Sequence, residues 1–185
     1  TKPYGILKIE NSQGKILEEH NPEENEAISS HLAYIMINLL QGVVKRGTGW
    51  RARKLNRPAA GKTGTTNNFT DAWFIGFVPQ LVAGVWVGYD DTSSLGEGMA
   101  GGKVACPIWT EFMMKVLEDM PVLNFPVPSG IVFARIDPET GLLALPGTKG
   151  AYLEVFLKGT VPQKYAYSFF EETVKESTVT AATIN

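Results

Sequence analysis

The chain has 185 residues, of which 44% are hydrophobic and 19% are charged, and its formal net charge is −2 at pH 7. This profile is typical of an ordinary globular domain with or without a small appendage. No run approaches 18 consecutive apolar residues, the start "TKPYGILKIE" lacks the regions of a signal peptide, and a single cysteine, Cys106, excludes an internal disulfide and a cysteine-based metal site.

The first predicted element is a β-hairpin. The segment "YGILKIENSQGKILEE" alternates apolar and polar side chains on both sides of residues 11–14, which read Asn-Ser-Gln-Gly. Two short alternating runs around a glycine-containing turn indicate two antiparallel strands.

A helix is predicted next, over residues 28–46. Ser29 or Ser30 is a suitable N-cap, and Gly47 is a suitable stop after two basic residues. Its apolar face is so wide that we expect this helix to be buried. The residues at helical spacing are Ile28, Leu32, Ile35, Met36, Leu39, Leu40, Val43 and Val44.

A basic stretch follows the helix. Between Glu26 and Asp71 there is no acidic residue, whereas seven basic ones occur there: Lys45, Arg46, Arg51, Arg53, Lys54, Arg57 and Lys62. The stretch is either a solvated run of charges at a helix end or a surface that attracts a phosphate or carboxylate. Aromatic residues within it are limited to Trp50 and the rest of the chain is acidic, so no nucleic-acid partner is expected.

Two further strands and a second helix are predicted after the basic stretch. The runs "AWFIGFV" and "LVAGVWVGY", joined by Pro79-Gln80, indicate an antiparallel pair. A glycine-rich loop over residues 92–103 leads to "VACPIWTEFMMKVLEDM", whose apolar residues have helical spacing. We expect this helix to cover one face of the sheet.

The composition of the sequence changes at residue 121. A proline-rich linker, "PVLNFPVPSG", precedes "IVFARIDPETGLLAL", which indicates a strand, a turn and a strand. The end, "EETVKESTVTAATIN", has too few large apolar residues to fold alone. We therefore predict one unit over residues 1–120 and a small β-rich appendage with a flexible tail over residues 121–185.

The segment "AAGKTGTT", residues 59–66, allows two interpretations. A phosphate-binding loop needs a glycine five positions before Gly61, a buried strand in front and a helix behind. The required position is Asn56, the preceding "RARKLNRP" is too charged for a buried strand, and the following residues are β-branched and aromatic. The nucleotide-binding interpretation is therefore disfavoured.

The alternative interpretation is a Lys-Thr-Gly box on an accessible strand at one side of a cleft. Side chains of a strand alternate, so Lys62 and Gly64 share one side while Thr63 and Thr65 share the other. A glycine at position 64 allows a substrate backbone or a catalytic group to approach closely. This interpretation predicts a cation beside a pair of hydroxyls.

Several motifs in order carry a family resemblance. They are "SSHLAYIMINLLQGVVKRGTG", then "RPAAGKTGTTNNFTDAWFIGFVPQLVAGVWVGYDD", then "GGKVACPIWTEFM". From about Pro3 to Met120 the chain resembles the C-terminal half of the transpeptidase domain of class A penicillin-binding proteins. The resemblance implies an α/β (α+β) fold, an antiparallel sheet flanked by helices, like that of the serine β-lactamases, which share the Lys-Thr-Gly box.

The resemblance also implies a function, which is acyl transfer during peptidoglycan cross-linking on the extracytoplasmic side of the membrane. A serine attacks the D-Ala-D-Ala stem peptide, D-Ala leaves, and an amine of a second stem peptide resolves the acyl-enzyme. β-Lactams mimic the donor peptide and trap the serine. The implied partners are therefore stem peptides and β-lactams, and neither a cofactor nor a metal is expected.

Specific residues are implied to carry this function. Lys62 tunes proton transfer at the nucleophile, the hydroxyls of Thr63 and Thr65 hold the substrate carboxylate, and the Thr65 N–H is an oxyanion donor. Gly64 provides clearance. Thr66 belongs to the same substrate- and β-lactam-binding stretch, although its main interpretation, like that of Asp71 and Trp73, is support of the strand.

The sequence departs from the family pattern in one respect. The family needs a Ser-x-x-Lys at a helix start and a Ser-x-Asn box, both before the Lys-Thr-Gly strand. The only Ser-x-x-Lys runs from Ser12 to Lys15 within the predicted hairpin turn, and no Ser-x-Asn occurs. We therefore expect an inactive fragment whose catalytic serine lies on a preceding part of the same protein, in one chain with it or as a separate chain. We expect membrane anchoring only through that part. The alternative is a non-catalytic module that retains the strand to bind a peptide or glycan.

Overall fold

The computed structural model describes residues 5–21 and 25–167, which form three antiparallel sheets, two α-helices and two short 3₁₀ helices. In chain order the elements are β1 (Lys8–Glu10), β2 (Ile16–Glu19), α1 (Ser30–Lys45), a first 3₁₀ helix (Trp50–Leu55), β3 (Ala60–Thr65), a second 3₁₀ helix (Asn67–Phe69), β4 (Asp71–Val78), β5 (Leu81–Gly88), α2 (Ala105–Val116), β6 (Ile131–Ile136) and β7 (Tyr152–Leu157). No helix within these described ranges is long and apolar enough to cross a membrane.

The predicted hairpin is confirmed. Strands β1 and β2 pair antiparallel. The Asn11 carboxamide oxygen accepts hydrogen bonds from the backbone of Gln13 and Lys15, at 3.0 and 2.9 Å, and Gly14 takes a φ of 76° that favours glycine. Ser12 and Lys15 therefore lie in the hairpin turn and not one helical turn apart on a helix.

Helix α1 begins where the sequence predicts, because the Ser29 hydroxyl accepts a hydrogen bond of 3.3 Å from the Leu32 backbone. The prediction that this helix is buried is wrong. Val44 is its one buried residue, and Leu39 is 51% exposed. The helix packs on β3, the first 3₁₀ helix and β7, and these described elements cover only one side of an apolar face that extends further round the helix.

The main sheet has the order β3-β4-β5, and helix α2 covers one of its faces, as the sequence predicts. Every second residue of β4 is buried, from Ala72 to Val78. The Phe74 ring packs edge-on against Trp109 with 5.1 Å between centroids, and the Trp109 indole donates a 3.1 Å hydrogen bond to the Ala83 carbonyl. This contact fixes α2 over the sheet.

Cys106 lies in that core, fully buried on α2. Burial is the main cause that raises the pKa of its thiol. A thiol that is buried and protonated is a poor nucleophile, so Cys106 acts as a small core residue.

In the C-terminal region one predicted strand is wrong. Strand β6 pairs antiparallel with Tyr152–Leu157 over its whole length, while residues 142–145 contribute only isolated bridges at Leu143. Pro146 cannot donate a ladder hydrogen bond and ends that short stretch, and the apolar segment after Gly150 takes the strand position. The predicted flexible tail lies outside the described residues from position 168 onwards, and the predicted boundary near residue 121 stays a prediction.

Candidate functional site

The Lys-Thr-Gly residues lie on β3, an edge strand of the main sheet. Among the described strands β3 pairs only with β4, so its other edge is open. The Thr66 backbone N–H donates to the Asp71 carbonyl at 3.2 Å, which makes these two residues a hydrogen-bonded pair. Because such pairs alternate along an antiparallel ladder, the backbone N–H groups of Thr63 and Thr65 point to the open edge.

The register separates the side chains of β3 between two faces. Thr63 and Thr65 lie opposite Phe74 and Ala72, on the face that α2 covers. Lys62 lies on the other face, as the strand alternation predicts. Its ammonium group donates a 2.9 Å hydrogen bond to the Thr63 carbonyl, which places the cation at the open edge.

The hydroxyl of Thr63 is paired with a residue that the sequence analysis did not single out. Thr48, in the turn after α1, shares a hydrogen bond of 2.8 Å with it, oxygen to oxygen. The Thr48 backbone packs closely against the glycine-rich loop, since a Cβ on Gly102 would lie 2.3 Å from the Thr48 carbonyl oxygen. The only sequence signal for this contact is the position of Thr48 between two glycines.

The hydroxyl of Thr65 contacts the glycine-rich loop that precedes α2. The Gly101 backbone N–H donates a 3.1 Å hydrogen bond to the Thr65 oxygen. Because this oxygen accepts a hydrogen bond from the Gly101 N–H, the hydroxyl proton of Thr65 stays available to a further acceptor. That acceptor can be a carboxylate at the open edge.

Gly64 has a role within the sheet itself. A Cβ there would lie 3.1 Å from the Cβ of Trp73, its partner on β4. The absence of a side chain at position 64 thus accommodates the indole-bearing residue opposite. Clearance for a substrate at the same position stays a prediction.

Thr66 and Asp71 close the turn between β3 and β4. The Asp71 N–H donates to the Thr66 hydroxyl at 2.8 Å, and the hydroxyls of Thr66 and Thr70 lie 3.1 and 2.9 Å from the Asp71 carboxylate. The Trp86 indole donates to the same carboxylate at 2.9 Å. These bonds, led by that of Trp86, hold the pKa of Asp71 below its ordinary range. They support the interpretation of both residues as bracing the strand, and a ligand contact of Thr66 stays a prediction.

The edge as a whole offers three groups to an extended ligand. They are the Lys62 ammonium, the Thr65 hydroxyl proton and the outward N–H of Thr65. A cation and hydroxyl donors suit a carboxylate, while a rigid backbone N–H suits an oxygen on which negative charge develops. No cluster of three potential metal-binding side chains occurs in the described part of the chain.

Two family models match this chain. The model described as the penicillin binding protein transpeptidase domain matches residues 1–114. The model described as the penicillin-binding protein 1A C-terminal domain matches residues 127–170. The first match covers more than half of the chain and includes β3, α1 and most of α2.

Three similar proteins are each named penicillin-binding protein 1A. The chain is 44% identical over 161 residues to a penicillin-binding protein 1A of Aquifex aeolicus, covering 87% of this chain and 22% of that protein. It is 49% identical over 145 residues to one of Pseudomonas aeruginosa, covering 78% and 18%. A crystal structure of penicillin-binding protein 1A from Haemophilus influenzae superposes with a TM-score of 0.75 at 32% identity, covering 89% of this chain and 30% of that one. The chain thus spans about a fifth of the length of these curated relatives.

Proposed function

Because the chain belongs to the penicillin-binding protein transpeptidase family, we propose that it supplies the substrate-holding strand of a peptidoglycan DD-transpeptidase. One observation carries this proposal. Strand β3 presents the Lys62 ammonium, the Thr65 hydroxyl and the Thr65 N–H along one open edge. An extended stem peptide or a β-lactam fits such an edge because its carboxylate and its scissile carbonyl need different donors.

The proposed chemistry is serine acyl transfer. A serine from a Ser-x-x-Lys segment attacks the penultimate D-Ala carbonyl, and the negative oxygen that forms accepts a hydrogen bond from the Thr65 N–H. The hydroxyls of Thr63 and Thr65 hold the terminal carboxylate. Lys62 stabilises the charged groups and assists proton transfer at the serine. The amide bond to the terminal D-Ala then breaks, and D-Ala leaves with the proton that the serine gave up. The amine of a second stem peptide attacks the resulting acyl-serine ester and releases the serine.

The nucleophile is proposed to come from another part of the same protein. The exposed side of α1 supports this, because Leu32, Met36 and Leu39 are all more than 40% exposed and a helix rarely leaves such a continuous apolar face in water. An N-terminal part of the domain that covers this face would bring its serine to the edge of β3. We place the complete domain on the extracytoplasmic side of the membrane.

The domain organisation is part of the proposal. We place the end of the transpeptidase unit near residue 121 and assign residues 121–185 to an appendage. The two family models support this division, because they match residues 1–114 and 127–170 and leave residues 115–126, with the start of the proline-rich stretch, between them.

Intact-mass spectrometry after incubation with benzylpenicillin tests the proposal. The 185-residue chain alone should gain no covalent penicilloyl adduct, whereas the chain combined with the Ser-x-x-Lys part of its domain should gain one, on the added part. An adduct on Ser12, or on another serine of this chain, would show that the nucleophile has been misplaced. Peptide binding by the combined protein without any acylation would favour a non-catalytic module.

A further inference from the structure

A second concave site lies between the transpeptidase unit and the C-terminal appendage. It is a cavity of about 790 Å³, within the range of small-molecule sites. Its walls come from α1, the first 3₁₀ helix, the connection after α2 and the sheet β6-β7. The appendage therefore completes a cavity that the transpeptidase unit does not form alone, and interfaces between units are where ligand sites concentrate.

The charged residues of this cavity are all basic. Lys45, Arg53 and Arg57 line it, and no Asp or Glu is among its lining residues in the described chain. The guanidinium of Arg57 is fixed by a 3.0 Å hydrogen bond to the Leu117 carbonyl. The Glu154 carboxylate, which is bonded to the lining residue Asn38, accepts hydrogen bonds from the Asn38 carboxamide and from the Val155 backbone N–H. The cavity thus favours an anionic ligand.

The neutral residues of the cavity are amides and aromatic rings. Gln41, Asn56 and Asn124 provide both donors and acceptors. Tyr34 packs edge-on against Phe133 with 6.4 Å between ring centroids, so these rings are held in place. Rings that offer flat apolar surface beside amides suit a ligand with apolar faces and many hydroxyl or acetamido groups.

We propose that this cavity binds a saccharide that carries a carboxylate. The cations recognise the acid, the amides recognise hydroxyl and acetamido groups, and the rings contact the apolar faces of the sugar. The cavity is distinct from the Lys-Thr-Gly edge: Ala59, just before β3, lines it, and Thr65 at the far end of β3 lies six residues further along the chain, which is about 20 Å in an extended strand. A sugar in the cavity and a peptide at the edge can therefore be held at the same time.

Titration of the 185-residue chain, followed by backbone-amide NMR shifts, tests this inference. The probes are N-acetylmuramic acid, glucuronic acid, N-acetylglucosamine and inorganic phosphate. The choice of muramic acid rests on the proposed function, whereas glucuronic acid does not. We expect at least one of the two acids to shift amides around Gln41, Lys45 and Asn124, and the neutral sugar to bind about tenfold more weakly or worse, the scale of losing a hydrogen bond to a charged group.

Two variants complete the test. Lys45→Gln should weaken binding of the acid about tenfold, whereas Lys15→Gln, which removes the same charge in the β1–β2 turn, should leave it unchanged. Equal binding of acid and neutral sugar, binding of phosphate as tight as that of the acids, equal effects of the two variants, or shifts remote from the cavity would each overturn the inference. None of these outcomes bears on penicillin acylation, so the proposed transpeptidase function is tested separately.

Discussion

The backbone N–H of Gly101 donates a 3.1 Å hydrogen bond to the Thr65 hydroxyl and so ties the loop before α2 to the Lys-Thr-Gly strand. This contact depends on a glycine at position 101. A Cβ there would lie 2.1 Å from the Trp73 carbonyl oxygen and 2.5 Å from that of Gly64. Both obstacles are backbone atoms of paired strands, which do not yield as a flexible side chain does.

Gly101→Ala should therefore destabilise the chain by about 2 kcal/mol or more, the scale of overpacking a close-packed site. Gly84→Ala is the matched control, because its Cβ would meet only the Ile75 side chain, at an ordinary 3.5 Å, on β5 of the same sheet. Urea unfolding of both variants measures the difference. Equal midpoints for the two variants would show that the loop is not packed against the strands in this way.

The pH dependence of stability should report on Asp71. Its pKa is lowered in the folded chain, first by the Trp86 indole and then by the hydroxyls of Thr70 and Thr66. A carboxyl with a depressed folded pKa stabilises the fold above its unfolded pKa, and this contribution is lost as pH falls through the folded value. The contribution of Asp71 should thus be complete above about pH 4 to 5 and should disappear in more acidic solution.

Melting temperatures of the wild type and of Asp71→Asn, followed by circular dichroism from pH 7 down to pH 2, measure this contribution. The wild type should melt higher at neutral pH, and the gap should close in acid. Asp119→Asn, at an exposed carboxylate after α2, serves as the control. A gap for Asp71→Asn that stays constant over the whole range would mean that the ionised carboxylate contributes nothing.

The elements of the main sheet could be predicted because their signals are local. Two runs of β-type residues joined by Pro79-Gln80 predicted β4 and β5, and the spacing of apolar residues predicted α2. The burial of α1 could not be predicted in the same way. A wide apolar face predicts that some surface covers the helix but does not say which one, and among the described residues Leu39 stays 51% exposed.

The site could be predicted only in part from the sequence, because several of its contacts are between distant segments. The alternation of Lys62 and Thr63 on β3 follows from strand geometry alone. The bond between Thr48 and Thr63 joins the turn after α1 to strand β3, and only the packing of α1 on β3 brings these two segments together. The second strand of the appendage was misplaced for a related reason, since residues 142–145 and 152–157 are both mostly apolar and tertiary pairing selects the second segment.

Lys62→Ala should slow penicillin acylation of the combined protein by roughly 10² or more, the scale of losing a positioned proton-transfer or electrostatic group. The ammonium group lies at the open edge of β3, bonded to the Thr63 carbonyl. Lys54→Ala is the control, because that lysine forms an exposed ion pair with Glu111, and exposed pairs contribute little. Stopped-flow measurements of the acylation rates of both variants test this prediction. An unchanged rate for Lys62→Ala would show that Lys62 is an ordinary surface charge.

Thr65 should contribute to acylation through two separate groups. Thr65→Ala removes the hydroxyl, and with it a hydrogen bond to the substrate carboxylate worth about 1.5 to 3 kcal/mol. It also leaves the Gly101 N–H without its acceptor, so Thr65→Ser, which keeps the hydroxyl, should retain most of the wild-type rate. Thr65→Pro removes the backbone N–H as well, and a further loss of about 2.7 to 4 kcal/mol of oxyanion stabilisation is expected.

The open edge makes the proline variant informative. The Thr65 N–H points away from β4, so proline deletes no ladder hydrogen bond there, and edge strands tolerate it. Circular dichroism and melting must first show that all three variants fold. If the alanine and proline variants then acylate at the same rate in the combined protein, the Thr65 N–H is not an oxyanion donor. A proline variant that is slower by about 10² or more, the rate equivalent of that loss, places the developing negative charge at the edge of β3.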